Sequence, residues 1–236
     1  MTVPPDPSRH ASLAARLRVY MVTPPGAISW DVVRGAVRGG VTAIQLRMPS
    51  APVSRLLEDG GRLRRECPGV FFVVNNRVDV ALALDADGVH LGADDLDVAT
   101  VRGLAPDLVI GATVRDASGA RKAIEAGADY LGLGAIYESP TKEGSPVVGL
   151  DGIAAVVRAA GEVPVVAIGG IVAGMARDPV QRGAAGVAVV GALDTIDGPE
   201  AEKTARVLLD EVHVGLGIRS ERLEDGGLID PPGAGC

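Results

Sequence analysis

Polar and charged side chains that could carry chemistry recur in this chain at or just after short apolar segments. They comprise amides, hydroxyls, acids and cations: Gln45, Arg47, Asn75, Asn76, Arg77, His90, Asp94, Asp95, Thr113, Arg115, Ser139, Thr141 and Lys142. Glycine turns at Gly169-Gly170 and at Gly191 complete the set. The chain contains neither a G-x-S-x-G nucleophile elbow nor cysteines and histidines at zinc-ligand spacing. The set therefore offers a ring of hydrogen-bonding groups and charges.

The two glycine turns have the sequence of a phosphate-binding device. They lie within residues 167–171 and 189–192, after the last two apolar segments. Turns at these places in a parallel barrel present backbone N–H groups, together with a helix N-terminus, to a phosphate. The alternative is that glycine merely permits a tight turn. The pattern favours phosphate binding.

Gln45 and Arg47 are separated by one residue, so a strand directs both side chains to the same face, here the expected barrel interior. A buried arginine is costly unless an anion compensates it. Two explanations stay open: an internal ion pair with an acid such as Asp95, or a clamp for an anionic ligand.

Asp95 follows a strand that ends in His90, Leu91 and Gly92. One carboxylate with one or two amides and several waters suits Mg²⁺, which binds through few protein ligands and through phosphate. The alternative is that Asp94 or Asp95 caps the next helix. His90 on a strand is typical of a core histidine whose hydrogen bonds are satisfied.

The elements that must position these residues alternate along the chain. Eight short apolar segments predict strands at 19–23, 43–47, 71–74, 88–91, 109–113, 130–134, 165–168 and 186–190. Helical spacing predicts helices at 30–38, 53–66, 79–84, 98–104, 117–126, 153–160, 175–182 and 200–212. Eight strand–helix units predict an α/β fold, a single closed (β/α)8 TIM barrel with right-handed crossovers.

Composition limits the class of protein. The chain has 236 residues, 47% of them hydrophobic, and a formal net charge of −7. These values exclude global disorder and a strongly basic nucleic-acid binder. No apolar run is long enough for a membrane span, and the first twenty residues lack the apolar core of a secretory signal. Cys67 and Cys236 cannot form a disulfide framework, so we expect two free thiols in a cytoplasmic protein.

The barrel is predicted to cover residues 17–214. Residues 1–16 are expected to form a flexible N-terminal extension, and residues 215–236 a disordered tail rich in Gly, Pro and charge. The tail could instead pack on a partner subunit, which leaves a homo-oligomer open.

These segments together resemble the thiamine phosphate synthase family, which includes the related thiazole tautomerases. The resemblance covers nearly all of residues 17–213. The segments that carry the resemblance are 19–23, GGVTAIQLR at 39–47, 73–96, GADYLGLGAIYESPTK at 127–142, PVVAIGGI at 164–171 and 186–193. Their order and spacing make the signal specific.

The resemblance implies a (β/α)8 barrel and a transferase. Such an enzyme condenses 4-amino-2-methyl-5-(diphosphooxymethyl)pyrimidine with a thiazole phosphate, giving thiamine monophosphate and pyrophosphate with one Mg²⁺ per subunit. The expected partners are therefore two small phosphorylated substrates, and neither nucleic acid nor a membrane.

The resemblance also implies roles for individual residues. The pyrimidine diphosphate would be held by Gln45, Arg47, Pro49, Asn75, Thr113 and Lys142. The thiazole phosphate would be held by Ser139, Pro140, Thr141, Gly170, Val190 and Gly191. Asn76 and Asp95 fall on the two metal positions. Arg47 and Lys142 would be catalytic, because they would stabilise charge on the departing pyrophosphate.

Four residues depart from the family pattern. Pro49 stands where a lysine usually closes Q-x-R-x-K, and Asn76 replaces one of two metal-binding aspartates. Thr113 replaces a serine and keeps the hydroxyl, and Gly191 replaces another serine. Because one cation and one anion are lost together, the net charge of the site stays level, but we expect a weaker Mg²⁺ site.

These departures leave an alternative function open. The chain could be a divergent thiazole tautomerase-like isomerase or a non-catalytic paralogue that binds thiamine phosphate. The catalytic histidine of the tautomerases, however, falls on Arg115, which does not support that isomerase activity.

Overall fold

Eight parallel strands form a closed barrel in the computed structural model, which describes residues 7–138, 147–194 and 197–217. The strands follow chain order: β1 Val19–Val22, β2 Ala43–Leu46, β3 Phe71–Asn75, β4 Gly88–Leu91, β5 Val109–Val114, β6 Tyr130–Leu133, β7 Val165–Ile168 and β8 Gly186–Val189. The barrel closes where Tyr20 of β1 lies opposite Ala188 of β8. The expected single (β/α)8 TIM barrel is confirmed.

The helices alternate with the strands. Their bounds are α1 Pro7–Arg16, α2 Trp30–Arg38, α3 Val53–Glu66, α4 Val78–Ala83, α5 Val98–Leu104, α6 Ala117–Glu125, α7 Gly149–Ala160, α8 Arg177–Gln181 and α9 Gly198–Gly215. A 3-10 turn covers Gly191–Leu193. Aspartate side chains cap three helix N-termini: Asp97 accepts from Thr100 N–H, Asp116 from Gly119 N–H and Asp197 from Glu200 N–H. No helix within the described ranges is long and apolar enough to cross a membrane.

Alternation along each strand divides the apolar interior into two layers. Outward residues such as Ile44, Val89 and Leu131 belong to the larger layer, which includes the apolar faces of the helices. Inward residues fill the barrel interior, among them Ala43, Phe71, Val73, Tyr130, Val166 and Ala188. Because side chains alternate along a strand, the next inward position after Ala43 is Gln45. Register thus aims polar side chains at the carboxyl end of the barrel.

Helix α1 packs beneath the barrel, so the expected flexible extension does not hold for residues 7–16. Leu13 in α1 and Leu17 just after it are buried in the cluster that fills the barrel interior. The Arg16 guanidinium lies 4.6 Å from the centroid of the Phe71 ring. Packing against the barrel stabilises this short helix, which propensity alone would leave marginal. At the other terminus α9 runs to Gly215, and residues 218–236 of the expected tail lie outside the described residues.

Candidate active site

The inward polar residues lie at the carboxyl ends of adjacent strands. Gln45 is on β2, Asn75 ends β3, His90 is on β4 and Thr113 is on β5. Gln45 is buried, whereas the other three are half-buried. Asn75 and His90 are direct neighbours across the β3–β4 pairing. This end of a (β/α)8 barrel is where active sites form.

Arg47 follows β2, and its backbone is tied to β1 through the buried side chain of Thr23. The Thr23 hydroxyl accepts from Arg47 N–H at 2.8 Å, and the same hydroxyl lies 3.3 Å from the Arg47 carbonyl. The half-buried guanidinium forms no ion pair with any acid of the described ranges. Of the two explanations left open for Arg47, the ion pair with Asp95 is wrong.

Asp95 is hydrogen-bonded on both carboxylate oxygens. Oδ1 accepts from the Asn76 side-chain amide at 3.0 Å, and Oδ2 accepts from Gly92 N–H at 2.7 Å. Asn76 has a positive φ of 51°, a conformation that asparagine tolerates better than most residues. Its backbone N–H donates to the His90 carbonyl at 2.9 Å. Asp95 therefore closes the loop after β4, and the helix cap considered for Asp94 or Asp95 belongs to Asp97.

The Asn76–Asp95 pair fits a Mg²⁺ that is shared with a substrate, and does not fit a metal site made by protein alone. The described residues contain no cluster of three His, Cys, Asp or Glu side chains able to hold a metal. One carboxylate and one amide supply two oxygens, and Mg²⁺ usually takes the rest of its six from water and phosphate. The Asn76 amide would have to turn, because its nitrogen now faces Asp95.

A buried chain of hydrogen bonds crosses the barrel interior. Gln45 Nε2 donates to the Tyr20 hydroxyl at 2.9 Å, and the Tyr20 and Tyr130 hydroxyls lie 3.0 Å apart. Tyr130 lies 3.1 Å from His90 Nδ1, and His90 Nε2 lies 3.0 Å from Thr113 Oγ1. Burial raises the pKa of both tyrosines, so each keeps its proton. His90 is thus a hydrogen-bonded interior histidine, as its strand position suggests.

The two glycine turns differ in what requires glycine. Gly170 has φ of +69°, and a Cβ there would lie 2.5 Å from the Glu138 carbonyl oxygen and 2.7 Å from Tyr137 Cβ. A tight turn therefore accounts for Gly170. A Cβ on Gly191 would meet nothing within 4 Å. No described residue therefore requires a glycine at position 191, and there is open space next to the half-buried Val190.

Several site residues expected from the sequence are placed differently or not described. Ser139, Pro140, Thr141 and Lys142 lie outside the described residues. Pro49 is exposed, in a turn closed by the hydrogen bond from Ala51 N–H to the Met48 carbonyl. Arg115 is exposed after β5.

Sequence reasoning missed Tyr20, Tyr130 and Thr23 as members of the site. Tyr20 and Tyr130 are two of only three tyrosines in the chain, on strands that are otherwise small and aliphatic. That rarity, together with inward positions, is the signal that could have found them.

The strands form a closed barrel, and polar groups converge at their carboxyl ends. These two features define the class of (β/α)8-barrel enzymes, whose active sites lie at the carboxyl ends of the strands. The family model described as thiamine monophosphate synthase matches residues 19–193, and the chain belongs to that family.

Relatives in the same family are similar over most of the chain. A thiamine-phosphate synthase of Pyrococcus furiosus is 41% identical over 207 residues, which is 85% of this chain and 99% of that protein. One of Natronomonas pharaonis is 45% identical over 192 residues, covering 77% of this chain and 89% of its own. A bifunctional thiamine biosynthesis protein of Symbiobacterium thermophilum is 45% identical over 89% of this chain, which spans 44% of that longer protein.

A solved structure agrees with the sequence comparison. Thiamine phosphate pyrophosphorylase from Pyrococcus furiosus superposes with a TM-score of 0.77 at 38% identity, covering 87% of this chain and all of the other. Two of these relatives are named thiamine-phosphate synthases and the solved structure a thiamine phosphate pyrophosphorylase, so the isomerase or non-catalytic alternative is not favoured.

Proposed function

We propose that this protein is a thiamine-phosphate synthase, which joins the pyrimidine diphosphate to the thiazole phosphate and releases pyrophosphate. The observation that carries the proposal is the half-buried Arg47 guanidinium, which has no acidic partner among the described residues, at the end of β2. β3 separates β2 from β4, whose following loop holds Asp95. A cation and a carboxylate at the same barrel end suit a diphosphate and the divalent ion it carries.

The chemistry requires a leaving group to be stabilised. The bond between the exocyclic methylene carbon of the pyrimidine and the diphosphate oxygen breaks, and its electron pair leaves with pyrophosphate. The electron-rich aminopyrimidine stabilises the resulting cation, and the thiazole nitrogen supplies the electron pair of the new C–N bond. This route needs no covalent enzyme nucleophile. Arg47 acts on the charge that develops on the leaving oxygens, and Lys142 is proposed for the same role from the family resemblance.

Asn76 and Asp95 would hold Mg²⁺ when the diphosphate is bound. The ion supplies charge neutralisation at the pyrophosphate oxygens. Asp95 contributes a carboxylate that Gly92 N–H already orients at 2.7 Å. The Asn76 backbone is fixed by its hydrogen bond to the His90 carbonyl, and the Asn76 side chain would offer a neutral oxygen after its amide turns.

The thiazole phosphate is assigned to the turns that follow β7 and β8, away from the strands that carry Arg47 and Asp95. A Cβ on Gly191, next to Val190, would meet nothing within 4 Å, so a phosphate has room to accept a hydrogen bond from the backbone N–H there. Gly170 shapes the turn after β7, against residues Tyr137 and Glu138 that lead toward Ser139, Pro140 and Thr141. The proposal thus assigns the two substrates to different strands, and proximity then supplies part of the rate. Because both substrates are phosphorylated and Cys67 is a free, buried thiol, we place the reaction in the cytoplasm.

The direct test is pyrophosphate release from the two purified substrates, with and without Mg²⁺. We expect release that needs both substrates and falls away when Mg²⁺ is chelated. Omitting either substrate is the matched control. Mg²⁺-dependent pyrophosphate release without the thiazole phosphate at the same rate would indicate a hydrolase and contradict the proposal, as would no release at all.

A further inference from the structure

Two glycines make room for the buried hydrogen-bond chain that runs from Gln45 to Thr113. A Cβ on Gly111 would lie 2.1 Å from Cζ of the Tyr130 ring, and one on Gly132 would lie 2.9 Å from Cε1 of His90. Both glycines occupy strands, β5 and β6, at positions where the rings cross the barrel interior. The rings of His90 and Tyr130 are in contact, with centroids 5.5 Å apart. The interior is therefore shaped around these two rings, and their polar atoms are held in place.

Counting protons gives this chain a direction. Gln45 donates to the Tyr20 hydroxyl at one side, and because a buried hydroxyl proton without an acceptor is costly, the single proton of Tyr20 goes to its other neighbour, the Tyr130 hydroxyl, and that of Tyr130 onward in turn. The proton of Tyr130 must then go to Nδ1 of His90, which leaves the ring proton on Nε2. Nε2–H donates to Thr113 Oγ1. The Thr113 hydroxyl proton is therefore not donated to any residue of this hydrogen-bond chain.

We propose that Tyr20, Tyr130 and His90 are positioning residues that hold Thr113 as a hydrogen-bond donor, and Gln45 as an acceptor, toward the pyrimidine substrate. The inference rests on the proposed function for the identity of that ligand. An aminopyrimidine has an amino group that donates and ring nitrogens that accept, so it needs one group of each kind. The Gln45 carbonyl oxygen accepts no hydrogen bond from the described residues, and the half-buried Thr113 faces the strand-end site.

The opposite direction would reverse both contacts. If Nδ1 of His90 carried the proton, Thr113 would donate to Nε2 and would offer only lone pairs to a substrate. Tyr130 and Tyr20 would donate in turn toward Gln45, whose oxygen would have to face Tyr20. A ligand would then meet an NH₂ group at Gln45 and no donor at Thr113. Polar groups in such a site that are left mispaired discriminate strongly between ligands.

The tautomer of His90 is measurable by ¹⁵N NMR of the histidine ring nitrogens in the free protein at neutral pH. The chain has only three histidines, so His10→Gln and His213→Gln assign the spectrum. We expect Nε2 of His90 to be protonated and Nδ1 to be unprotonated. A protonated Nδ1 in the wild-type protein would overturn the proposal, whether as the other tautomer or as imidazolium.

Two substitutions test whether the chain sets that tautomer. Tyr130→Phe removes the donor to Nδ1, and we expect His90 to become a mixture of tautomers. Tyr137→Phe is the matched control, because Tyr137 is the one remaining tyrosine of the protein and does not belong to the hydrogen-bond chain. This substitution should leave the His90 signals unchanged. Gln45→Glu, measured at alkaline pH, replaces the terminal donor by an acceptor, so the whole chain should reverse and protonate Nδ1. Unchanged His90 signals in both Tyr130→Phe and Gln45→Glu would overturn the inference.

Kinetics separate this inference from the proposed function. Tyr130→Phe should raise KM for the pyrimidine diphosphate about tenfold, the value of one hydrogen bond to a neutral ligand, and leave KM for the thiazole phosphate unchanged. Thr113→Val should also raise KM for the pyrimidine diphosphate, whereas Thr113→Ser, which keeps the hydroxyl, should leave this KM near the wild-type value. Equal changes in both KM values would overturn the positioning role. The NMR result does not depend on substrate, so a protein with the expected tautomer but no synthase activity would contradict the proposed function alone.

Discussion

The two ends of the barrel use charged residues in opposite ways. At the amino end of the strands, Asp87 accepts from Phe72 N–H and Asp129 accepts from Ile110 N–H, both at 2.8 Å. Arginines cover these acids: Arg16 lies 3.4 Å from Asp87, and Arg102 binds Asp129 and three backbone carbonyls. At the carboxyl end, Arg47 and Arg115 have no acidic partner within the described part of the chain.

This difference shows how one fold separates stability from chemistry. Asp87 and Asp129 directly precede β4 and β6, and each accepts a hydrogen bond from the start of the preceding strand, β3 or β5. The arginines neutralise the charge of these two acids. At the carboxyl end Arg77 is paired with Asp79, but Arg47 and Arg115 stay available to ligands, which is the usual division of labour in this fold. The comparison predicts that substitutions at the two ends will have effects of different kinds.

The largest effects should come from exchanging one arginine at each end. Arg47→Ala should lower kcat by about two to three orders of magnitude, because a charge that stabilises the leaving group is lost. Its free energy of unfolding should change by no more than about 0.5 kcal/mol, as for a side chain without buried partners. Arg102→Ala should instead reduce the free energy of unfolding by about 3 kcal/mol, since Asp129 and three carbonyls lose their donor.

Chemical denaturation and pyrophosphate release, measured on both variants, check this pair. Arg102→Ala should keep a near-normal kcat at temperatures where it is folded. If Arg47→Ala loses stability and keeps its rate, Arg47 is a structural residue and the contrast between the ends is wrong.

The two ends also differ in how well sequence predicts them. Strands β4 and β7 and helices α2, α3 and α5 have the expected bounds, because short apolar runs between Gly, Pro and Asp carry a strong local signal. Helix α1 was missed, since its pattern is weak and its stability comes from Leu13 packing under the barrel.

At the carboxyl end, the sequence predicts residue types better than residue contacts. Asn76 and Asp95 are hydrogen-bonded to each other, and their predicted metal role stays a prediction. The chain through Tyr20 and Tyr130 was missed because those strands, β1 and β6, are not neighbours in the barrel. Pairing across the interior depends on closure and register, which no local pattern contains.

The second prediction tests the acid of the carboxyl end. Asp95→Asn should remove most of the activity, on the order of a hundredfold or more, because the only carboxylate of the proposed Mg²⁺ site is lost. Asp129→Asn is the matched control at the amino end and should lower stability without changing the Mg²⁺ requirement. A silent Asp95→Asn in a Mg²⁺ titration of pyrophosphate release would mean that no functional metal site exists there.

The third prediction separates the two glycine turns. Gly191→Val should raise KM for the thiazole phosphate about tenfold, the value of one hydrogen bond to a charged acceptor, and leave stability unchanged because open space surrounds the position. Gly170→Ala should lower the thermal midpoint, because φ is +69° and the new Cβ would press on the loop at Glu138. Thermal unfolding and KM values for both substrates check this. Destabilisation by Gly191→Val of the same size as by Gly170→Ala would remove the distinction.

The smallest effect concerns the Asn76 amide, and Asn76→Asp should tighten Mg²⁺ binding about tenfold, or about 1.4 kcal/mol. A second carboxylate near a divalent ion is favourable. Without Mg²⁺ the same substitution replaces the 3.0 Å hydrogen bond between Asn76 and Asp95 by the repulsion of two carboxylates. The variant should therefore unfold more easily than wild type in a chelator and recover when Mg²⁺ and pyrophosphate are added. Thermal unfolding across a Mg²⁺ titration follows both effects without an activity assay. A variant whose stability does not depend on Mg²⁺ would show that Asn76 is a loop residue only and takes no part in metal binding.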